Sequence, residues 1–327
     1  MPQSQPTSGS QTQPPSKPQS ASPSRPEPKP QQRVAITGAS GLIGSALSAF
    51  LTGRGDEVVH LVRREPRAPR EVSWDPASRK LNPGDLSGLT AVVHLAGAGV
   101  ADHRWTPEYK QEIYQSRASG TATIATALAD LGEPVALVSG SAIGVYGDRG
   151  EEILTEDSET GTGFLADVVR AWEAATAPAL TAGLRVAYAR TGLVLTPDGG
   201  AMKRVLPLAK LGLAGPLGTG RQYWSWITLH DEVRALAHLI DRDLAGPVNL
   251  VSTQPLRQSE VMKALGRQLS RPMLLPVPAL ALKVALGEFA ADILASARIL
   301  PSVLMASGFV FENGTIDSAM QWLVGQI

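Results

Sequence analysis

Arg33-Val-Ala-Ile-Thr-Gly-Ala-Ser-Gly-Leu-Ile-Gly44 is the stretch on which the reading of this 327-residue chain turns. Residues 34–37 form a short apolar run with no polar alternation, as in a parallel strand covered on both faces. Glycines follow at 38, 41 and 44, and then Ala46, Leu47, Phe50 and Leu51 recur at helical spacing. Gly38 turns the chain tightly off the strand, Gly41 lets backbone approach a pyrophosphate, and Gly44 lets the helix lie close on the sheet. The first helical turn, with Leu42 and Ile43, offers free N–H groups and the positive end of a helix dipole to phosphates. A second strand at 57–62 completes a context that points to dinucleotide binding. The alternative is a glycine-rich turn that holds no ligand.

Further strands are expected at 71–74, 91–95, 135–139, 184–190 and 248–251. Thr106-Pro107-Glu108 has the form of an N-cap followed by proline at the first helical position, and that helix should run to about Leu131. Leu165, Val168, Val169 and Trp172 space a second helix over 164–177. Strands alternating with helices predict an α/β fold, a Rossmann-like doubly wound parallel sheet with right-handed crossovers. Past residue 195 the rhythm changes. Residues 196–225 are expected to leave the sheet, 223–227 to form a strand, and 252–327 to build a smaller, mostly helical lobe broken by prolines. The sheet domain thus spans 33–251, and the lobe would cover the crevice beyond the strands' carboxyl ends, where specificity would lie.

Thirty basic and thirty acidic residues cancel, so net charge gives no argument for nucleic acid or an anionic membrane surface. There is no cysteine, which excludes disulfides, thiolate nucleophiles and Cys-based metal sites and fits a reducing, cytoplasmic setting. No His/Asp/Glu cluster has metal-ligand spacing. Residues 1–32 hold nine of the 25 prolines and only Met1 and Ala21 as aliphatic residues, so they are expected to be a disordered tail. They contain no apolar core of a secretory leader, and no later run reaches the length of a membrane span.

Thr37-Gly-Ala-Ser-Gly-Leu-Ile-Gly44, Val93-His-Leu-Ala-Gly97, Ser139-Gly-Ser-Ala-Ile-Gly-Val-Tyr-Gly147 and Ala189-Arg-Thr-Gly192 together resemble the extended short-chain dehydrogenase/reductase superfamily. Trp105, Ser116-Arg117, Arg170-Ala-Trp-Glu173 and Trp224-Ser-Trp-Ile-Thr-Leu-His-Asp231 resemble its atypical "epimerase family" branch. That branch ends in a characteristic C-terminal domain of unknown function, here about 276–326. The resemblance implies that Leu95, Ala96 and Gly97 pass under the adenosine. It also implies that Glu112 and Arg117 face the cofactor from the next helix, unless they are an exposed charged pair.

The end of the second strand selects the cofactor. An NAD site places a carboxylate there for the ribose 2′-OH, whereas Arg63 and Arg64 stand there in this chain and suit a 2′-phosphate. With Ser40 as a further donor, NADP is the expected cofactor; the alternative is a solvated basic turn. The superfamily's acid/base pair is a Tyr with a Lys four residues on. Residues four beyond the five tyrosines are Ile113, Ala118, Gly150, Gly192 and Ile227, so none has its lysine. Counting back from Glu173, as the resemblance implies, the pair becomes Leu165 and Val169, neither of which moves a proton. Ser139, Ser141 and Tyr146 remain as polar groups after the fourth strand, with Ser141 and Tyr146 the catalytic candidates. Arg221 and His230 are further candidates, and Trp105, Trp224 and Trp226 would line the crevice or the core. Two readings follow: an NADP-dependent oxidoreductase or epimerase-like enzyme on a small carbonyl or sugar-like substrate, and an NADP(H)-binding regulatory or scaffold protein with little turnover.

Overall fold

Runs of Val, Ile, Leu and Ala without polar alternation form the middle of the fold, because a parallel sheet is covered on both faces. In the computed structural model, which describes Met1 and residues 31–327, seven strands lie in one sheet. They are β1 (Arg33–Thr37), β2 (Glu57–Val62), β3 (Glu71–Ser73), β4 (Ala91–His94), β5 (Ala136–Ala142), β6 (Val186–Thr191) and β7 (Gly246–Leu250). Their order is β7-β6-β5-β4-β1-β2-β3, and every neighbouring pair is parallel. The doubly wound α/β sheet expected from the sequence is present. Residues 2–30 of the expected tail lie outside the described residues. Its last residue, Gln32, is already docked: its N–H donates to Asp56 at 3.0 Å and its carbonyl accepts from the Glu57 N–H at 2.9 Å.

Helices α1 (Leu42–Arg54), α2 (Pro107–Leu131) and α3 (Phe164–Ala174) make the first crossovers. The Thr106 hydroxyl accepts from the Tyr109 N–H at 3.2 Å, so the cap and proline signal read in the sequence is the start of α2. The helix expected over 164–177 stops earlier. Thr176 turns its hydroxyl onto the Glu173 carbonyl at 2.7 Å, and Pro178 then lacks the N–H to continue the ladder, so Ala177–Thr181 forms a separate turn of helix.

The next helices are α4 (Gly200–Lys210), α5 (Leu229–Asp241) and α6 (Gln258–Leu269). They are followed by α7 (Ala279–Leu286), α8 (Phe289–Leu294) and, after a short turn at Ser302–Ala306, α9 (Ile316–Gly325). Leu47 and Leu51 of α1 meet Val233, Leu236 and Ile240 of α5 on one face of the sheet, and Ile124 and Leu128 of α2 fill the other. A third cluster (Met202, Leu206, Trp226, Val261, Leu265, Leu323) joins α4, α6 and α9. The strand expected at 223–227 is two short ones, Tyr223–Trp224 and Trp226–Thr228. Ser225 breaks it, since its hydroxyl donates to the Ala297 carbonyl and accepts from the Ile299 N–H while its own carbonyl takes the Leu193 N–H. Residues 196–225 and the C-terminal segments are thereby stitched together, and Gln31–Ile327 form one compact unit.

Two glycines of α1 make a matched pair. A β-carbon on Gly44 would stand 2.2 Å from the Gly38 carbonyl oxygen, whereas one on Gly53 meets nothing within 4 Å. Gly44→Ala should therefore destabilise the protein by roughly 1–3 kcal/mol. Gly53→Ala should stabilise it by about 0.5–1 kcal/mol, as alanine does in an open helix position. Thermal or urea denaturation of the cofactor-free protein measures both, and equal effects at the two positions would contradict the close approach.

Candidate functional site

The chain order reverses at β1, whose neighbours are β2 and β4, and a crevice opens there beyond the strand ends. Gly38 turns away with φ +67°, and a side chain on it would meet the Leu95 backbone at 2.9 Å. The loops after β1 and β4 thus touch. Thr37 locks them: its hydroxyl oxygen accepts from the Leu95 and Ala96 N–H groups at 3.0 and 3.1 Å, so its proton goes to His94 Nδ1 at 2.7 Å. Burial pushes the His94 imidazole down to about 3, so it is neutral and can accept that proton. Above this lock α1 begins at Gly41 with no side chain capping its first N–H groups, those of Leu42, Ile43 and Gly44. Ser40 stands exposed beside them. A helix start left open in this way can receive an anion.

The two arginines at the end of β2 part company. Arg64 forms a forked pair with Glu71 of β3, at 2.6 and 2.8 Å, and that pairing draws the Glu71 carboxyl down to about 2. The parallel register of β2 and β3 aligns His60 with Glu71 and brings the carboxylate within reach. Arg63 is exposed and has no such partner among the described residues. Of the two arginines expected to meet a phosphate, Arg64 is thus engaged with a carboxylate in this structure.

After β4, Leu95, Ala96 and Gly97 run along the crevice. Arg117 does not form a pair with Glu112. Five residues apart they point to different sides of α2, and Glu112 is exposed. Arg117 turns inward, donates to the Ala98 and Ile113 carbonyls at 2.9 and 3.1 Å and lies over the Trp172 ring at 5.0 Å. A β-carbon on Gly97 would touch it at 3.3 Å. Arg117 therefore shapes the 97–98 loop, and its desolvation lowers it to about 10.

Beyond β5 and β6 lies a buried polar network. Ser141 donates to the Glu173 carboxylate at 2.6 Å, and Arg190 grips the same carboxylate through Nε at 2.9 Å and Nη2 at 3.0 Å. The third Arg190 contact is to the Tyr146 hydroxyl at 2.9 Å, which donates onward to Asn249 Oδ1 at 2.8 Å. Asn249 binds the Leu300 carbonyl, and its N–H reaches Glu156, which also takes the Val303 N–H. Tyr146 is fully buried, with both roles of its hydroxyl occupied and its pKa raised by burial. It stands in this network instead of facing a substrate. Leu165 packs by Gly144 and Val169 is in the core, so the expected positions of the acid/base pair are apolar packing.

Arg221 lines a groove of about 410 Å3 with Glu151, Gln222, Arg257 and Ser296. The Tyr223 ring lies between the guanidiniums of Arg257 and Arg298, 4.9 and 5.1 Å away. His230 pairs with Glu312 at 2.6 Å in a partly exposed contact, and Trp226 is core. Trp105 packs between Phe164 and Phe289. Among the described residues no three His, Asp or Glu side chains converge to hold a metal, and no helix is long and apolar enough to cross a membrane.

Residues 34–251 match the model of the NAD dependent epimerase/dehydratase family. The chain belongs to that family. Residues 277–323 match a domain of unknown function, DUF1731, as the resemblance implied. Epimerase family protein Mb2239 of Mycobacterium bovis is 44% identical over 289 residues, 88% of this chain and 96% of the relative. The crystal structure of human epimerase family protein SDR39U1 (isoform2) with NADPH superposes with a TM-score of 0.82 at 28% identity, over 90% of this chain and 100% of that one. A nucleoside-diphosphate sugar epimerase from Corynebacterium glutamicum superposes with a TM-score of 0.73 at 36% identity, over 91% of this chain and 59% of that one. This epimerase/dehydratase member is therefore a Rossmann-type nucleotide-binding protein related to SDR39U1.

Two buried acids of this family member differ in their surroundings. Glu173 has a guanidinium on both oxygens. Glu232, fully buried on α5, has only the Thr191 hydroxyl at 2.7 Å, and burial pushes it up to about 8. A carboxyl whose folded pKa is raised holds its proton in the folded state, so its stabilising effect is complete below about 4 and is lost as pH rises through 8. Stability should fall as pH rises from 4.5 to about 8 in the wild type and level off above that. Glu232→Gln should flatten that slope and be the more stable form at the alkaline end. Urea midpoints across pH measure it, and parallel profiles would overturn the assignment.

Proposed function

We propose that this family member binds NADP(H) and acts as an oxidoreductase or epimerase-like enzyme on a small carbonyl or sugar-like substrate, without the Tyr/Lys pair. The observation that carries the cofactor choice is Arg63: an exposed guanidinium at the end of β2, without an ion pair among the described residues, where an NAD site would hold a carboxylate. The open start of α1 and the close Gly38–Gly44 contact fit a pyrophosphate. The solved relative that carries NADPH supports the same choice. When bound, the nicotinamide would supply hydride chemistry. Ser141 is the polar group of this chain best placed to hold a reacting oxygen, and Glu173 and Arg190 position it. The cations Arg221 and Arg298 beside the groove favour a substrate with an anionic part. A chain without cysteine suits the reducing cytoplasm.

A second reading, NADP(H) bound with little turnover, is favoured by the burial of Tyr146 and by the apolar Leu165 and Val169. Two measurements test the proposal. In titrations, NADPH should bind about tenfold to a hundredfold tighter than NADH, the effect of one charge-assisted contact. Arg63→Glu should abolish that preference and Arg64→Ala should weaken it less, since Arg64 is engaged with Glu71. Equal wild-type affinities would remove the NADP assignment.

Epimerisation of UDP- and GDP-sugars by transient oxidation, followed by NMR, should be slower than ordinary by about 10² to 10⁴, the usual cost of losing a positioned base. Turnover near 1 s⁻¹ or faster would show that another group takes the proton.

A further inference from the structure

The charges that cancel over the whole chain do not cancel locally. Residues 199–230 carry Lys203, Arg204, Lys210 and Arg221 and no acidic residue. Residues 261–287 carry Lys263, Arg267, Arg271 and Lys283, again with no acidic residue. The fold lays these two segments side by side. Arg271 Nε donates to the Lys210 carbonyl at 3.0 Å, the Val277 N–H to the Pro216 carbonyl at 2.8 Å, and the Gly218 N–H to the Val277 carbonyl at 2.8 Å. Lys203, Lys210, Arg271 and Lys283 are exposed, and none forms an ion pair with a carboxylate among the described residues.

The same surface exposes aliphatic side chains. Leu211, Leu274, Leu280 and Val284 are each more than two-thirds exposed, and Leu213 and Leu275 are half exposed beside them. Leu280 and Val284 stand at i, i+4 on one side of α7, while Leu282 turns into the protein. Surface aliphatic residues scattered singly need no explanation, but six on neighbouring segments that carry eight basic and no acidic residues do.

We propose that this strip docks the protein peripherally on an anionic lipid surface, the aliphatic side chains entering the headgroup boundary and the lysines and arginines meeting the lipid phosphates. Charge complementarity selects this occupant: the two segments are basic with no acidic residue of their own, and anionic headgroups supply negative charge without a matching shape. A protein partner fits less well, because protein interfaces concentrate their energy in Trp, Tyr and Arg anchors with leucine under-represented, and the exposed apolar residues of this strip are aliphatic. The mode is peripheral, since no described helix is long and apolar enough to span. The zero net charge of the whole chain concealed it.

The experiment is flotation of the full chain with vesicles of about one-third phosphatidylglycerol in phosphatidylcholine, and with pure phosphatidylcholine, at low and high salt. The wild type should float with the anionic vesicles only, and high salt should weaken binding. Leu274→Ser, Leu280→Ser and Val284→Ser combined should lower the bound fraction about tenfold. Circular dichroism and NADPH binding should stay unchanged, because these side chains are outside the core. Lys210→Gln with Lys283→Gln should reduce binding and its salt dependence. No flotation of the wild type would overturn the proposal, as would equal flotation of the triple serine variant. A wild-type dimer that the triple variant dissolves, with no vesicle binding, would overturn it too and assign the strip to a second copy of the chain.

Discussion

The ion pair between Glu173 and Arg190 is the interaction on which the carboxyl edge of the sheet depends. Both side chains are largely out of water, at 14% and 6% exposure. Two charges so placed are tolerated only where the geometry is good and the remaining donors and acceptors are satisfied. Here the guanidinium meets both carboxylate oxygens, Ser141 adds a third bond, and Tyr146 takes the last guanidinium contact. Removing one partner would strand the other, a loss of about 3–5 kcal/mol. Each member comes from a different element: β5, the turn after it, α3 and β6. The pair therefore fixes how these elements close over one another.

From Tyr146 the same network continues through Asn249 of β7 to the Leu300 carbonyl and, by way of Glu156, to the Val303 N–H. The C-terminal domain is thus bonded to the buried polar layer at the strand ends and does not merely lie over it. Burying polar groups this deeply is costly unless each is paired. One carboxylate oxygen of Glu156 and one of Glu232 lack a partner among the described residues. For Glu232 the raised pKa resolves the difficulty, since a protonated carboxyl carries no buried charge.

The sheet was legible in the sequence because its signals are local. The span 57–62 is β2 as observed, and Thr106-Pro107 starts α2, because an apolar run and an N-cap are both set within a few residues. The fate of Arg64 was not local. Glu71 lies seven residues away, and only the parallel register of β2 and β3 brings it near. The polar network was harder still, since Glu173, Arg190 and Asn249 sit on separate elements. One sign of it was readable: Val186–Thr191 is a central strand, and an arginine in it needs a buried acid. The setting of Tyr146 was not local either, since the residues that occupy its hydroxyl come from 44 and 103 positions away.

Ser141 shows what this arrangement does to chemistry. Its single hydroxyl proton points to Glu173, held there by a carboxylate that Arg190 fixes on both oxygens. To any further partner the serine can then offer only lone pairs. A hydroxyl that accepts will hold an alcohol, which brings its own proton, better than a carbonyl, which needs one. The Glu173–Arg190 pair that secures the fold at this edge therefore also commits the one proton of the Ser141 hydroxyl.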